Sequence, residues 1–335
     1  MTTLNQVAKR AAVSTATVSR VVNNYPHVKP DIRARVLAAI DELGYVPNAA
    51  ARTMVTKRTG IIGLMLPQVE PDWFGEDATF YSIIVQSISR ACTDADIQLL
   101  LSVTPQARSV DVAERVLKGG HVDGVIVSVF PSNHPVMGML ARSRLPAVLI
   151  GRNPYYPELH WVDVDNFHSA VEAVTYLIQK GRRRIATLAM PSDGSAGTQR
   201  RDGYTRALLD YDLPIDRALI TEMSPSGDDG VAAIKRLLSL PEPPDAIFAA
   251  SDGMALRAME VIHARGLRIP EDIAVIGFDD QPNARKADPP LTTVHQPMRQ
   301  MGVCATELLL QVIEGQVSEP QHIVLPTSLV VRQSA

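Results

Sequence analysis

One arginine set among small hydroxylated and aliphatic residues, Val13-Ser14-Thr15-Ala16-Thr17-Val18-Ser19-Arg20, has the types and spacing for reading a base pair. The guanidinium fork of Arg20 matches guanine O6 and N7, a contact worth roughly 1–3 kcal/mol of discrimination. Thr15 and Ala16 suit a thymine methyl, while Ser14, Thr17, Ser19 and Asn23 suit phosphate oxygens, which set register without reading sequence. A second set suits a polar small molecule: Arg200, Ser251, Asp252 and Asp279, with the aromatics Phe80, Tyr81 and Trp161. Aromatic faces beside Arg and Asp match a sugar ring, which is apolar on its CH face and polar at its rim. The alternatives are ordinary: a solvated arginine at 20, an ion pair at 200, a strand-end cap at 279, and aromatics that plug a core or a dimer contact.

Both sets depend on elements that hold them. Leu4, Val7, Ala8 and Ala11 have helical spacing, and Thr3 with Gln6 predicts a capping box at the start. After a break at Ala12–Val13, Ser14 predicts the N-cap of a second helix running to about Asn23. Its Val18, Val21 and Val22 face inward, and Thr15, Ala16, Ser19 and Arg20 face outward. A third helix starts near Pro30, buries Ile32, Val36, Ile40 and Leu43, and ends at Gly44. The pattern predicts a helix-turn-helix over residues 1–46, followed by a linker at 47–59. The plainer alternative is an unrelated three-helix bundle whose small residues only permit close packing. Charge favours the first reading: residues 1–58 carry nine Lys/Arg and three acids, net +6, whereas the whole chain is −3, leaving −9 for the remainder. A basic module on an acidic body suits a polyanion at one end only.

From Gly60 onward, short β-branched runs alternate with amphipathic segments. GIIGLML, IQLLLSV, GVIVSV and PAVLIG form one series, and WVDVD, RIATLA, AIFAAS and IAVIGFD a second. The alternation predicts two doubly wound lobes of parallel sheet, with TTVHQP and IVLPTSLVV as extra strands flanking a helix at 297–314. Ligands of such sheets bind beyond the carboxyl ends of the strands, where Asp279 and Ser251–Asp252 stand, and Arg200 opens a helix. No phosphate loop, nucleophile elbow or GxGxxG occurs, the eight histidines lack metal-ligand spacing, and Cys92 and Cys304 build no framework. We therefore expect no enzyme, no cofactor and no metal. No apolar run spans a membrane, and the N-terminus lacks a secretory pattern, which predicts a cytoplasmic protein.

The string VAKRAAVSTATVSRVVNN, followed by ARVLAAIDELGYVPNAAARTM, resembles the headpiece and hinge of the LacI/GalR family of bacterial transcription regulators. The resemblance extends over nearly the entire chain. It implies a small all-α helix-turn-helix headpiece on a two-lobed α/β core like that of periplasmic binding proteins. The linker is then a hinge that orders on operator DNA and enters the minor groove, with Ala51 and Met54 among its DNA contacts and Arg52 and Lys57 at the adjacent backbone; Met54 stands where the family has a leucine wedge. Arg200 and Asp279 match the family's effector-site arginine and strand-end aspartate. Ser251 replaces an asparagine, and Gly151, followed by Arg152, stands where some sugar-binding relatives carry an acid. The loop from Pro67 to Phe80 is longer than is usual there and suits a lid. Re-entry of the tail places the first lobe at about 60–161 and 292–320 and the second at about 162–291 and 321–335. The resemblance implies a homodimer on palindromic operator DNA, most often a repressor, whose affinity is set by a small effector, here expected to be a mono- or oligosaccharide. The rivals are a sugar-binding transport protein and a sugar-processing enzyme on the same core.

Overall fold

The computed structural model describes residues 2–22, 25–46, 58–67, 79–128, 130–190, 195–223 and 229–335. The chain divides into two compact units, Met1–Gly60 and Ile61–Ala335. In the first, α1 (Leu4–Ala11) opens on the expected capping box: Thr3 Oγ1 accepts from Gln6 N at 3.4 Å, and Gln6 Oε1 accepts from Thr3 N at 2.8 Å. Ala12 turns the chain through a left-handed residue into α2 (Thr15–Val22), where Ser14 Oγ accepts the Thr17 N–H at 3.1 Å. Pro30 begins α3 (Pro30–Leu43), and left-handed Gly44 ends it. Val7, Ala8, Ala11, Val18, Val21, Val36 and Ala39 close a common core, so the valine stripe of α2 is spent inward.

The second unit holds two six-stranded sheets. The first contains β1 (Ile61–Pro67), β2 (Gln98–Thr104), β3 (Gly124–Ser128), β4 (Ala147–Ile150), β5 (His160–Val164) and β11 (His322–Leu325), all paired in parallel. Helices α4 (Thr79–Asp94), α5 (Ser109–Lys118) and α6 (Pro135–Arg142) connect them. The second contains β6 (Ile185–Ala189), β7 (Ile220–Glu222), β8 (Ala246–Ala249), β9 (Ala274–Asp279), β10 (Thr292–His295) and β12 (Ser328–Val330), with only β12 antiparallel. Its helices are α7 (Asn166–Gln179), α8 (Ser195–Asp210), α9 (Asp229–Leu237) and α10 (Asp252–Ala264). The central strands β3, β4, β6, β8 and β9 are buried throughout, as two-sided cover requires. Both sheets reverse their winding beside their first strand, β1 next to β3 and β6 next to β8, and such a reversal opens a crevice at the strand ends.

Strand pairing redraws the expected lobe limits. Thr292–His295 pairs with β9 and belongs to the second sheet, not the first lobe. His322–Leu325 pairs with β5 and belongs to the first, and all of β5 through Val164 lies there as well. Between them, α11 (Met298–Ile313) packs on α4 and on β3 to β5. Gly302 permits that approach, because an added Cβ would lie 2.0 Å from Ser87 Oγ. IVLPTSLVV is thus two strands in different sheets, parted at Pro326–Thr327. Periodicity states that a strand is buried but not which sheet it joins, since that is settled by its pairing partner, 16 residues away for Thr292–His295 and 161 for His322–Leu325. The three-residue strand β7 was not anticipated. The lid expected at 67–80 falls largely on residues 68–78, outside the described residues.

Candidate functional site

On the headpiece, Thr15, Ala16 and Arg20 are exposed on the outer face of α2, opposite Val18 and Val21. Ser14 and Thr17, expected at phosphates, hydrogen-bond each other at 2.9 Å as part of the cap. Ser19 is half-buried. Asn23, Ala51, Arg52, Met54 and Lys57 lie outside the described residues.

The core unit contains a cavity of about 340 Å³ at the carboxyl ends of both sheets. Its first-lobe wall is mostly apolar: Phe80, Tyr81, Val127, Phe130, Met137 and Leu149. Phe80 and Tyr81 meet edge to face, with centroids 5.5 Å apart. The second-lobe wall is polar: Ser195, Gly197, Arg200, Ser251, Asp279 and Gln281. Among the described residues that line it, Arg152, Asp163, Arg200 and Asp279 are the charged ones, and they form two pairs.

Arg200, buried on α8, is clamped from three sides. Its Nε donates to Asn166 Oδ1 at 2.8 Å, and its Nη1 donates to Ala250 O at 2.6 Å and to Asp279 Oδ1 at 3.5 Å. Its guanidinium lies 3.5 Å from the centroid of the Phe278 ring. Asp279 ends β9 with φ 120° and is followed by Asp280 with φ 56°, a left-handed pair that only surrounding bonds hold in place. The turn splits the two carboxylates. Asp279 faces the cavity and accepts from Gln281 Nε2 at 3.1 Å and Gln296 Nε2 at 2.8 Å. Asp280 turns away to His295 at 3.0 Å and to Arg332.

Asp252 is a correction to the sequence reading: it does not line the cavity. Fully buried at the start of α10, it accepts the Gln281 backbone N–H at 2.7 Å and the Thr293 hydroxyl at 2.5 Å. Gly277 must be glycine to seat it, since a Cβ there would stand 2.3 Å from Asp252 Oδ1. Asp252 therefore holds the strained turn from below. Trp161 is a second correction. Strand residues two apart share a face, so Asp163 reaches the cavity while Trp161, two residues earlier, lies deeper in the core. It stacks on His322 at 4.6 Å and lies 5.0 Å beneath the Arg152 guanidinium, which donates to Asp163 Oδ2 at 2.8 Å. Ser251 does line the cavity, while its hydroxyl also caps α10 by accepting from Met254 N at 3.3 Å.

Burial pushes the Asp279 carboxyl above its usual range, against the pull of Arg200, Gln281 and Gln296. Asp252 is raised as well, by burial and then by the charge of Asp279. Burial also weakens the hold of Arg200 on its proton, opposed by the charges of Asp279, Asp163 and Asp252. Burial, then Asp279, holds the Tyr81 phenol protonated as a donor. The site thus presents donors and acceptors without net charge. Sequence reasoning missed Phe130, Asn166, Gln281 and Gln296; the last two lie two and seventeen residues beyond Asp279, and only the sheet register brings them together.

Among the described residues, Ser109 meets His134 Nε2 at 3.1 Å. His134 Nδ1 accepts the Val136 N–H at 3.2 Å, so the ring proton sits on Nε2 and is directed at the serine, the reverse of what nucleophile activation needs. Among the described residues, no group of three or more His, Cys, Asp or Glu is placed to hold a metal. No helix there is long and apolar enough to cross a membrane.

Comparisons agree with this architecture. Residues 3–48 match "Bacterial regulatory proteins, lacI family", and residues 174–335 match "Periplasmic binding protein-like domain". The chain is 41 % identical to the HTH-type transcriptional regulator CelR of Thermobifida fusca over 99 % of its length and 98 % of the relative's. It is 33 % identical to catabolite control protein A of Priestia megaterium over the same shares. A solved CelR–cellobiose complex superposes with TM-score 0.76 at 39 % identity, covering 100 % of both chains. The lac repressor dimer bound to operator and the anti-inducer ONPF superposes with TM-score 0.86 at 28 % identity, covering 99 % of this chain and 98 % of that one. These relatives are transcriptional regulators and not enzymes. With a helix-turn-helix, a two-lobed core and identity of this level over its full length, the chain belongs to the LacI family of bacterial regulatory proteins.

Proposed function

We propose that this chain is a homodimeric repressor that reads palindromic operator DNA and whose grip is set by an uncharged sugar in the interlobe cavity. The observation that carries the ligand class is the pairing of an aromatic, apolar wall with a polar wall whose charges are internally compensated. A sugar ring offers its CH face to the first and its hydroxyls to the second. A phosphorylated sugar would bring charge that neither ion pair is free to match. The solved CelR–cellobiose complex supports a saccharide of this kind, and the lac repressor dimer on operator supports the assembly. A two-fold dimer reads a two-fold site, with Thr15, Ala16 and Arg20 at base edges and the 47–59 hinge, including Met54, between the half-sites. Occupancy changes operator affinity by about 1–3 kcal/mol, some 5- to 150-fold, and DNA changes sugar affinity by the same factor.

Two experiments test this. In a thermal-shift series with cellobiose, glucose, glucose 6-phosphate and hypoxanthine, a neutral saccharide raises the melting temperature and the other two do not. Stabilisation by the phosphate or the purine alone overturns the ligand class. For the DNA arm, duplexes are selected from a random library by the full chain. Arg20→Ala then loses preference at one base pair per half-site while still binding sugar; unchanged preference refutes its assignment.

A further inference from the structure

We infer that Gln296 is the strut through which an occupant of the cavity acts on the lobe-to-lobe hinge; this rests on the reading of the cavity as the effector site. Three segments join the lobes: residue 165 between β5 and α7, residues 296–297 between β10 and α11, and residues 326–327 between β11 and β12. The third carries Thr327, whose hydroxyl meets Ser169 at 2.7 Å and which does not line the cavity. The first is anchored by Asn166 to Arg200, which Ala250 and Phe278 also fasten within the second lobe.

Asn166 also reaches the first lobe, donating to Asp163 Oδ1 at 3.1 Å, but it does not line the cavity; among the described hinge residues, Gln296 both lines the cavity and has one end in each lobe. Its buried side chain lines the cavity and donates to Asp279 Oδ1 at 2.8 Å in the second lobe. Its carbonyl accepts the Met298 N–H at 2.8 Å, at the start of the helix that packs in the first. Pro297, between them, fixes its own φ and restricts the residue before it, so the segment passes on displacement instead of absorbing it. Asp279 Oδ1 receives Gln296 at 2.8 Å but Arg200 only at 3.5 Å, whereas Oδ2 receives Gln281. A ligand hydroxyl donating to Oδ1 shares that oxygen with its nearest donor, the Gln296 amide, and weakens that bond. Loss of that bond leaves residue 296 tied to Asp279 by its long backbone bond, Gln296 N–H to Asp279 O at 3.4 Å, so residues 296–297 and the first turn of α11 loosen and the interlobe angle follows.

The test is hydrogen exchange on the full chain, read at the Met298 and Met301 amides, which are bonded to Gln296 O and Pro297 O. Gln296→Met keeps the volume and removes the donor; Gln281→Met removes the other amide from the same carboxylate but lies within the second lobe. Without sugar, Gln296→Met speeds exchange at both amides at least fivefold, whereas Gln281→Met leaves it within twofold of wild type. Cellobiose speeds these amides in wild type and in Gln281→Met, at higher concentration in the latter, and adds nothing in Gln296→Met. Should Gln296→Met fail to fold, Gln296→Asn, which keeps an amide too short to reach, shows the same gain. Equal exchange in the two methionine variants overturns the strut, since the amide then only positions Asp279. Divergent variants with a wild type indifferent to both cellobiose and glucose support Gln296 as a hinge tie and overturn the sugar as what acts on it.

Discussion

Removing Arg200 leaves the buried Asp279 carboxylate without its cation, and the size of the loss is set by the cheapest way out. That way is protonation. A carboxyl that ionises near 3.9 in the unfolded chain costs about 1.4 kcal/mol per pH unit to keep protonated, so the penalty is capped at about 4 kcal/mol at pH 7 and about 1.5 kcal/mol at pH 5. The sign follows from burial, which raises the folded carboxyl. The protonated form is fully compatible with folding below the unfolded value, and stability is lost as pH rises. At roughly 2 °C per kcal/mol for a unit of this size, ligand-free Arg200→Met melts about 8 °C below wild type at pH 7 and about 3 °C below at pH 5. Lost bonds to Asn166 and Ala250 add a deficit that does not vary with pH. Adding Asp279→Leu to Arg200→Met recovers most of the pH 7 loss, because breaking a buried pair costs more than replacing it. Calorimetry of wild type, both single variants and the double variant at both pH values checks this. A deficit independent of pH, or a double variant as unstable as the sum of the singles, refutes the reasoning.

Two further outcomes follow from packing and protonation. Gly203→Ala puts a Cβ 2.4 Å from the Phe167 carbonyl and 2.8 Å from Ala170 Cβ, between α7 and α8. Overpacking of about 1–3 kcal/mol against backbone outweighs the helix propensity gain of about 1 kcal/mol, so urea melts should show a net loss; a gain would show that the helices part freely. Burial lowers the His134 imidazole below its usual range, and its Nδ1 already accepts from Val136. Its contribution is therefore present above pH 6.5 and lost as pH falls, and His134→Gln gains on wild type between pH 7.5 and 5; a constant difference in melting temperature would remove the claim.

The headpiece was legible from its residues because its signals are local. The Thr3–Gln6 box, the Ser14 cap, Pro30 and Gly44 each act within a turn of themselves, and the valine stripe needs only helical periodicity. The strand-and-helix alternation of the core was legible for the same reason. Asp279 was found because a strand end is a readable position; Arg200 was expected to open a helix, but α8 begins at Ser195 and places it sixth, on the buried face. Tertiary structure alone decided which sheet received Thr292–His295 and which received His322–Leu325, because the choice rests on pairing partners that a strand's own pattern does not name. It also sent Trp161 into the core and Asp252 beneath the turn while bringing Gln281 and Gln296 to the Asp279 carboxylate. Local pattern specifies that a residue is buried or at a strand end. Which partner it meets there depends on contacts that exist only once both sheets have closed.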